Sequence, residues 1–375
     1  MGPRRAGKSR LIQKVLENSE VAYLNFEEEQ FTEASGHALI EAAHEVYPQA
    51  KYCYLDEAQD YPDWETLLNK LHRRGYNLFV TGSNAKLLSS ELASALTGRH
   101  IPIELLPFSF AEFIQAKEFK ESRSMPKNWE SFEDYLSTGG FPEIVLSSGI
   151  VSGAYLNTLF DSIILNDLVK RKSIRNPTYL ANCVSLLVNN VASRTSARAL
   201  AKALKNTPTA TTIDKYLEMI REAYLVETIG AYRPKLKERL QSERKPYLID
   251  TGFTSVRSRQ ALSVLGRQLE NSVYLALRRK GLVSGESLFY YRSESGLEVD
   301  FLVRRDHQTE ELIQVCLDLS SIETRAREIH ALEKAKIEHP IASLTIVTAK
   351  DAGTVQTSAG DTITLVPAYE FCVES

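Results

Sequence analysis

Eight residues near the start of the chain, Gly2-Pro3-Arg4-Arg5-Ala6-Gly7-Lys8-Ser9, fit the pattern G-x-x-x-x-G-K-[ST] at every position. Glycines at those places let the backbone wrap a polyphosphate with its amides pointing inward. Lys8 is the type and spacing that reaches β- and γ-phosphates, and a hydroxyl such as that of Ser9 ligates Mg²⁺. The expected nucleotide contacts are Gly2, Arg5, Ala6, Gly7, Lys8, Ser9 and Arg10. A second feature lies further on, where Tyr52-Cys53-Tyr54-Leu55 runs into Asp56-Glu57. An acid at the end of an apolar run suits the Mg²⁺ shell, the role expected of Asp56. The acid after it, Glu57, suits orienting or deprotonating an attacking water. Taken alone, the same six residues also describe a strand followed by a solvated acidic turn.

The elements that must hold these residues are legible in the pattern around them. Val21–Phe26, Tyr52–Leu55 and Asn77–Thr81 are short apolar runs bounded by turn residues and separated by helical stretches, the rhythm of buried parallel strands with crossovers. Leu11, Ile12, Val15 and Leu16 form an apolar stripe, so a helix is expected to begin where the phosphates would sit. A P-loop ordinarily follows a buried strand, and only Met1 stands before Gly2. The first strand is therefore expected to be missing from the chain as given. Weak nucleotide binding or instability is expected with it, to be relieved by upstream residues.

From Ser109 to Lys245 the pattern turns helical, with Tyr155–Val169 and Tyr179–Val191 carrying apolar residues at three- and four-residue spacing. Ser196–Leu204, Thr211–Arg221 and the β-like run Tyr224–Ile229 read as a winged helix-turn-helix, with Thr209 or Thr211 as the cap of its second helix. Arg194, Arg198, Lys202, Lys205 and Lys215 are candidates for phosphate contacts, or for a face packed on the rest of the chain. The basic run Lys235, Lys237, Arg239, Arg244 and Lys245 reads as a solvated hairpin tip. Strand-like runs return after Lys245, preceded for the most part by a helix at Leu265–Lys280, and describe a separate α/β domain.

Composition bounds the class. The 375 residues are 43% hydrophobic and 25% charged with a net charge of −3, ordinary for a globular chain of more than one domain. No apolar run approaches the ~20 residues of a membrane-spanning helix, and no signal-peptide stretch opens the chain. Four scattered cysteines without a CxxC pair argue against structural zinc or a disulfide framework and point to the reducing cytoplasm.

The motifs occur in an order that resembles one group of proteins. Beside the two nucleotide motifs stand Thr81-Gly82-Ser83, Leu106-Pro107-Phe108-Ser109-Phe110 and Gly139-Gly140-Phe141-Pro142-Glu143. Together they resemble the prokaryotic AAA-type ATPases often called archaeal ATPases, over almost the whole chain. The resemblance implies an α/β P-loop core at 1–107, a helical lid at 108–180 and a winged helix at 181–245. It also implies a restriction-endonuclease-like PD-(D/E)xK domain at 246–375. ATP and Mg²⁺ are the implied cofactors, and ATP, DNA and a homo-oligomer the implied partners. In AAA-type enzymes the polar residue after the third of these strands contacts the γ-phosphate or the lytic water. Asn84 is the expected residue, with Ser83 second, and a helix cap explains Asn84 equally well. Arg99 is placed as a finger toward a neighbouring subunit or as a surface arginine.

In active nucleases of the PD-(D/E)xK type, carboxylates and a lysine hold Mg²⁺ and activate water. The matching residues here are Glu270, Asp300 and the stretch Gln314-Val315-Cys316, in which an amide and a thiol replace the expected acid and lysine. Glu298 is expected on the opposite strand face, and Arg325 or Arg327 as substitute charges. Glu270 and Asp300 remain as possible metal ligands or as simple structural ion pairs. A degenerate nuclease fold is expected, with an ATP-gated metal-dependent nuclease and a nucleotide-ordered scaffold without turnover as alternatives.

Overall fold

A computed structural model describes residues 1–82, 100–122, 124–170, 174, 176–204, 208–258, 264–306 and 308–373. The first unit is a parallel sheet of three strands in the order β1 (Val21–Asn25), β2 (Tyr52–Asp56), β3 (Asn77–Val80). Register pairs Leu24 with Leu55 and Leu55 with Val80, so the acidic end of β2 emerges between its neighbours. Helices α1 (Lys8–Val15), α2 (Glu29–Glu33), α3 (Gly36–Val46) and α4 (Trp64–Arg73) accompany it. Leu39, Ile40, Leu67, Leu68 and Leu71 bury their helix faces against Ala22, Leu24, Cys53 and Leu55. The Met1 backbone exchanges hydrogen bonds with the segment around Ile103 and Leu105.

The next helices fall into two groups. Helices α5 (Phe110–Glu121) and α6 (Trp129–Thr138) are followed by the short α7 (Pro142–Leu146). A Ser109–Glu112 capping box starts α5, satisfying two of its free amides. Phe110, Phe113, Phe132 and Tyr135 from α5 and α6 join one core with Leu269, Val273, Phe301 and Phe371 of the C-terminal unit. The segment expected to act as a lid therefore spends these two helices covering the far sheet. Helix α8 (Ser152–Ser162) continues in π geometry over Ile163–Lys170 and packs with α9 (Pro177–Asn189) in a separate core.

That core extends to α10 (Ala197–Ala203), α11 (Ala210–Glu222) and an antiparallel ribbon of β4 (Val226–Gly230) and β5 (Arg244–Leu248). The Thr209 side chain caps α11 by accepting from Thr212 N. The link between the two strands contains the short helix α12 (Leu236–Gln241). Strand β5 runs across residue 245, where one region was expected to give way to the next, because its partner is β4.

After α13 (Gly252–Arg257) and α14 (Val264–Arg279) the chain builds a six-stranded mixed sheet. Its strands are β6 (Leu288–Arg292), β7 (Glu298–Arg305), β8 (Gln308–Val315), β9 (Ser343–Thr348), β10 (Gly353–Gln356) and β11 (Thr362–Pro367). Spatial order is β10-β11-β9-β8-β7-β6, with β8, β9 and β11 mutually parallel. Helix α15 (Ile322–Glu338) crosses over from β8 to β9 and covers one face, while α14 and α16 (Ala368–Val373) cover the other. Among the described residues no helix is long and apolar enough to cross a membrane. All four cysteines are buried thiols.

Candidate nucleotide site and a second acidic centre

The loop before α1 closes on itself. Gly2 lies so near the neighbouring segment that a Cβ there would stand 2.0 Å from Leu105 O, which leaves room only for glycine. The Lys8 side chain, 7% exposed, donates to Gly2 O at 3.0 Å and Pro3 O at 2.9 Å. Burial is the largest influence on this ammonium and lowers its pKa, with the Glu57 carboxylate opposing. Beside it the Ser9 hydroxyl donates to Asp56 Oδ1 at 3.1 Å. The same carboxylate accepts from Thr81 Oγ1 and, on its other oxygen, from Tyr23 OH at 3.2 Å. Desolvation, followed by the charge of Asp56, pushes the Tyr23 phenol up to about 12, so it stays a donor at neutral pH. Glu57 follows in the left-handed region at φ 48, a turn that swings its carboxylate away from the strand direction toward Gln59.

Sequence spacing and structure can be compared residue by residue. Lys8, Ser9, Asp56 and Glu57 come together within one buried corner at the ends of β2 and α1. Arg5 and Arg10 are exposed, and Arg5 pairs with Glu143 at 3.4 Å. Ser83, Asn84 and Arg99 lie outside the described residues. Sequence reasoning missed Arg4, whose Nε donates to both oxygens of the 2%-exposed Asp167 carboxylate at 2.9 Å. Asp167 sits in the π-helical stretch, so the loop is tied to the helical region by a long-range ion pair that no local pattern announces. The donor set fits a magnesium-bound nucleotide: an ammonium on the loop, then a hydroxyl and a carboxylate already in contact.

A second centre forms where β5 meets the six-stranded sheet. Lys245 Nζ lies 2.7 Å from Asp300 Oδ1, 2.8 Å from Glu298 Oε1 and 3.0 Å from Glu270 Oε1. The lysine side chain is 1% exposed, so the expectation of a solvated tip is wrong at this residue. Glu298 was expected on the opposite face, yet it shares a face with Asp300. Positions two apart on a strand point the same way, and both carboxylates meet the same ammonium. Gln314 takes the expected place beside Asp300, accepting from its backbone N at 3.2 Å and donating to Glu328 at 2.6 Å. Cys316 turns its thiol to Asp318 O, Arg327 pairs with Glu328, and Arg325 is exposed. The charge comes from Lys245 instead. Burial, and then the neighbouring Asp300, raise the Glu270 carboxyl to about 7. Among the described residues no group of three or more His, Cys, Asp or Glu is arranged to hold a metal ion.

A parallel β core with a glycine-rich loop, its lysine and serine, and an acidic strand end has the arrangement of an AAA-type P-loop fold. Residues 1–114 match the family described as AAA domain. Residues 129–261 and 265–371 match two domains of unknown function, DUF8612 and DUF4143. The uncharacterized protein MJ1544 of Methanocaldococcus jannaschii is 32% identical over 394 residues, covering 99% of this chain and 86% of that relative. An uncharacterized protein of Haemophilus influenzae is 30% identical over 322 residues, covering 81% of this chain and 78% of its own length. The chain belongs to the family of these two proteins. Two solved structures are loosely similar. Aeropyrum pernix ORC1 in complex with DNA has a TM-score of 0.34 at 14% identity, covering 74% of this chain and 87% of its own. AMPPCP-bound DnaA from Aquifex aeolicus has a TM-score of 0.28 at 15% identity, covering 59% and 80%.

Proposed function

We propose that this chain is an ATP-hydrolysing AAA-type protein of the cytoplasm that acts, as a homo-oligomer, on a DNA-bound partner. The observation that carries the reading is the contact of Ser9 with Asp56 beside buried Lys8 and Glu57. Lys8, Ser9 and Asp56 would hold the nucleotide and its Mg²⁺, which supplies charge neutralisation on the phosphates when bound. Lys8 lies in a desolvated corner, where its attraction to an anion is stronger than in water. Glu57, held off the strand by its left-handed turn, is the group to accept a proton from water.

The helices α10 and α11 with the β4–β5 ribbon have the order of a winged helix, and the sheet after them that of a nuclease-like unit. On α11 the exposed Asp214 and Glu218 offset the exposed Lys215 and Arg221. Among the described residues of these two helices, only Arg198 and Lys202, on α10, stand as a cationic pair; Lys205 lies outside the described residues. Phosphate binding needs a surplus of cations, so this balance favours a protein already on DNA over naked duplex. The buried Lys245 among three carboxylates supports a degenerate nuclease.

ATP turnover tests the proposal. Lys8→Ala and Glu57→Gln are each expected to lower hydrolysis about 100-fold or more, and undiminished turnover in both variants sinks it. Measured with several DNA forms, binding is expected to be weak for each.

A further inference from the structure

We infer that Lys245 is the resident cation of the centre formed by Glu270, Glu298 and Asp300. It takes the place that a divalent metal holds in an active phosphodiesterase of this architecture and locks the ribbon to the six-stranded sheet. The inference deepens the nuclease-like reading of the C-terminal unit and rests on it for the choice of metal.

The valence of the contacts carries the argument. An ammonium has three N–H donors and no acceptor, and Lys245 Nζ faces three carboxylates at 2.7, 2.8 and 3.0 Å. Two of the donors bond to Glu270 and Asp300, and Glu298 adds an ion pair on the same ammonium. A lysine that assists hydrolysis has to reach water or a phosphate oxygen, whereas this one is 1% exposed and enclosed by its carboxylates. The spacing suits nitrogen, because carboxylate oxygens close to about 2.0–2.1 Å on Mg²⁺. The carboxylates have further partners. Tyr247 OH donates at 2.7 Å to Glu270 Oε1, the oxygen that also meets Lys245, while Val315 N donates to Asp300 Oδ2 at 2.9 Å and Arg194 pairs with Glu298 Oε2 at 2.9 Å. Such partners hold the carboxylates around the ammonium.

The same contacts tie two elements together. Lys245 and Tyr247 both come from β5, and Asn271 of α14 clamps the next residue, exchanging hydrogen bonds with Leu248 N and O at 2.7 and 2.9 Å. Tyr247 also stacks on Tyr274 of α14, with centroids 4.3 Å apart. The centre is thus an ionic lock within a packed joint.

The test is calorimetric titration of the full chain, free of nucleotide and in a Ser9→Ala background that silences the P-loop, with Mn²⁺ alone. The parent is expected to show no Mn²⁺ uptake that Asp300→Asn removes. Lys245→Ala is expected to gain one such site, lost again in Lys245→Ala/Asp300→Asn. Asp300-dependent uptake by the parent overturns the inference, and so does a folded Lys245→Ala that takes up no Mn²⁺. Should Lys245→Ala fail to fold, thermal unfolding decides. Lys245→Met is expected to lower Tm, and Lys245→Met/Glu270→Gln/Asp300→Asn to recover most of that loss; no recovery overturns the lock. ATP turnover, measured separately on the wild-type chain, shows failure of the ATPase reading without touching the Mn²⁺ result.

Discussion

Asp250 gives the sharpest physical test of how the units are joined. It follows β5 and is fully enclosed, accepting from Gly140 N at 2.7 Å on one oxygen and from Gly252 N at 2.9 Å on the other. Burial outweighs these two bonds and lifts the carboxyl from 3.8 to about 6. In the unfolded chain the proton leaves near 3.8, whereas the folded protein keeps it until about 6. Between those values the native state binds more protons than the unfolded one, so stability falls as pH rises. The interval is about two pH units at about 1.4 kcal/mol each, or about 3 kcal/mol in all. Asp250→Asn removes the titration but presents an amide NH₂ to one of the two backbone donors, which costs about 1–3 kcal/mol. Wild type is thus expected to be the more stable form near pH 4 and to lose that advantage, or fall behind, by pH 7. Urea unfolding read through Trp129 in a Trp64→Phe background measures both proteins across this range. Trp129 packs against the core that adjoins Gly139 and Gly140, and Trp64 and Trp129 are the chain's only tryptophans. A stability difference that stays flat between pH 4 and 7, or that moves in favour of wild type, refutes the reasoning.

Two further outcomes follow from contacts described above. Gly140→Ala would place a Cβ 2.2 Å from Phe108 O, and relieving that clash displaces the Asp250 contact. A loss of about 2–4 kcal/mol is expected in urea unfolding; a loss below about 0.5 kcal/mol would show that the junction yields easily. Arg4→Ala leaves the enclosed Asp167 carboxylate without its guanidinium, an expected loss of about 3 kcal/mol. Most of it should return in Arg4→Ala/Asp167→Asn, and absence of that rescue would remove the ion pair as the cause.

The candidate nucleotide site was readable as a motif because its information is local. Eight consecutive residues specify the loop, and the apolar run before Asp56 and Glu57 specifies the strand end that delivers them. Three parallel strands followed from the same apolar runs, although only β2 is buried along nearly its whole length, while β1 alternates and β3 is half-buried. Lys245 was illegible for the opposite reason. Its three partners lie between 25 and 55 residues away, and a lysine among Lys235, Lys237, Arg239 and Arg244 has the local signature of solvent. Only the ladder between β4 and β5, with its register of Ile229 against Lys245, turns that side chain inward. Misplacing Glu298 was a different kind of miss, a failure to apply the two-residue strand period to Glu298 and Asp300. Helices α5 and α6 misled in turn, because their apolar faces show that something is covered without showing which sheet.

Strand β5 also has a consequence for any attempt to divide the protein. The family matches separate residues 129–261 from 265–371, which puts Lys245 in one piece and Glu270, Glu298 and Asp300 in the other. Each half alone would own an uncompensated charge facing an interior surface: a cation on one, a triad of anions on the other. Such halves are complementary parts, poor as separate proteins and suited to recombining when mixed. Produced together from two genes, they should find each other through the apolar core they share, with the ammonium and its carboxylates meeting across the same seam.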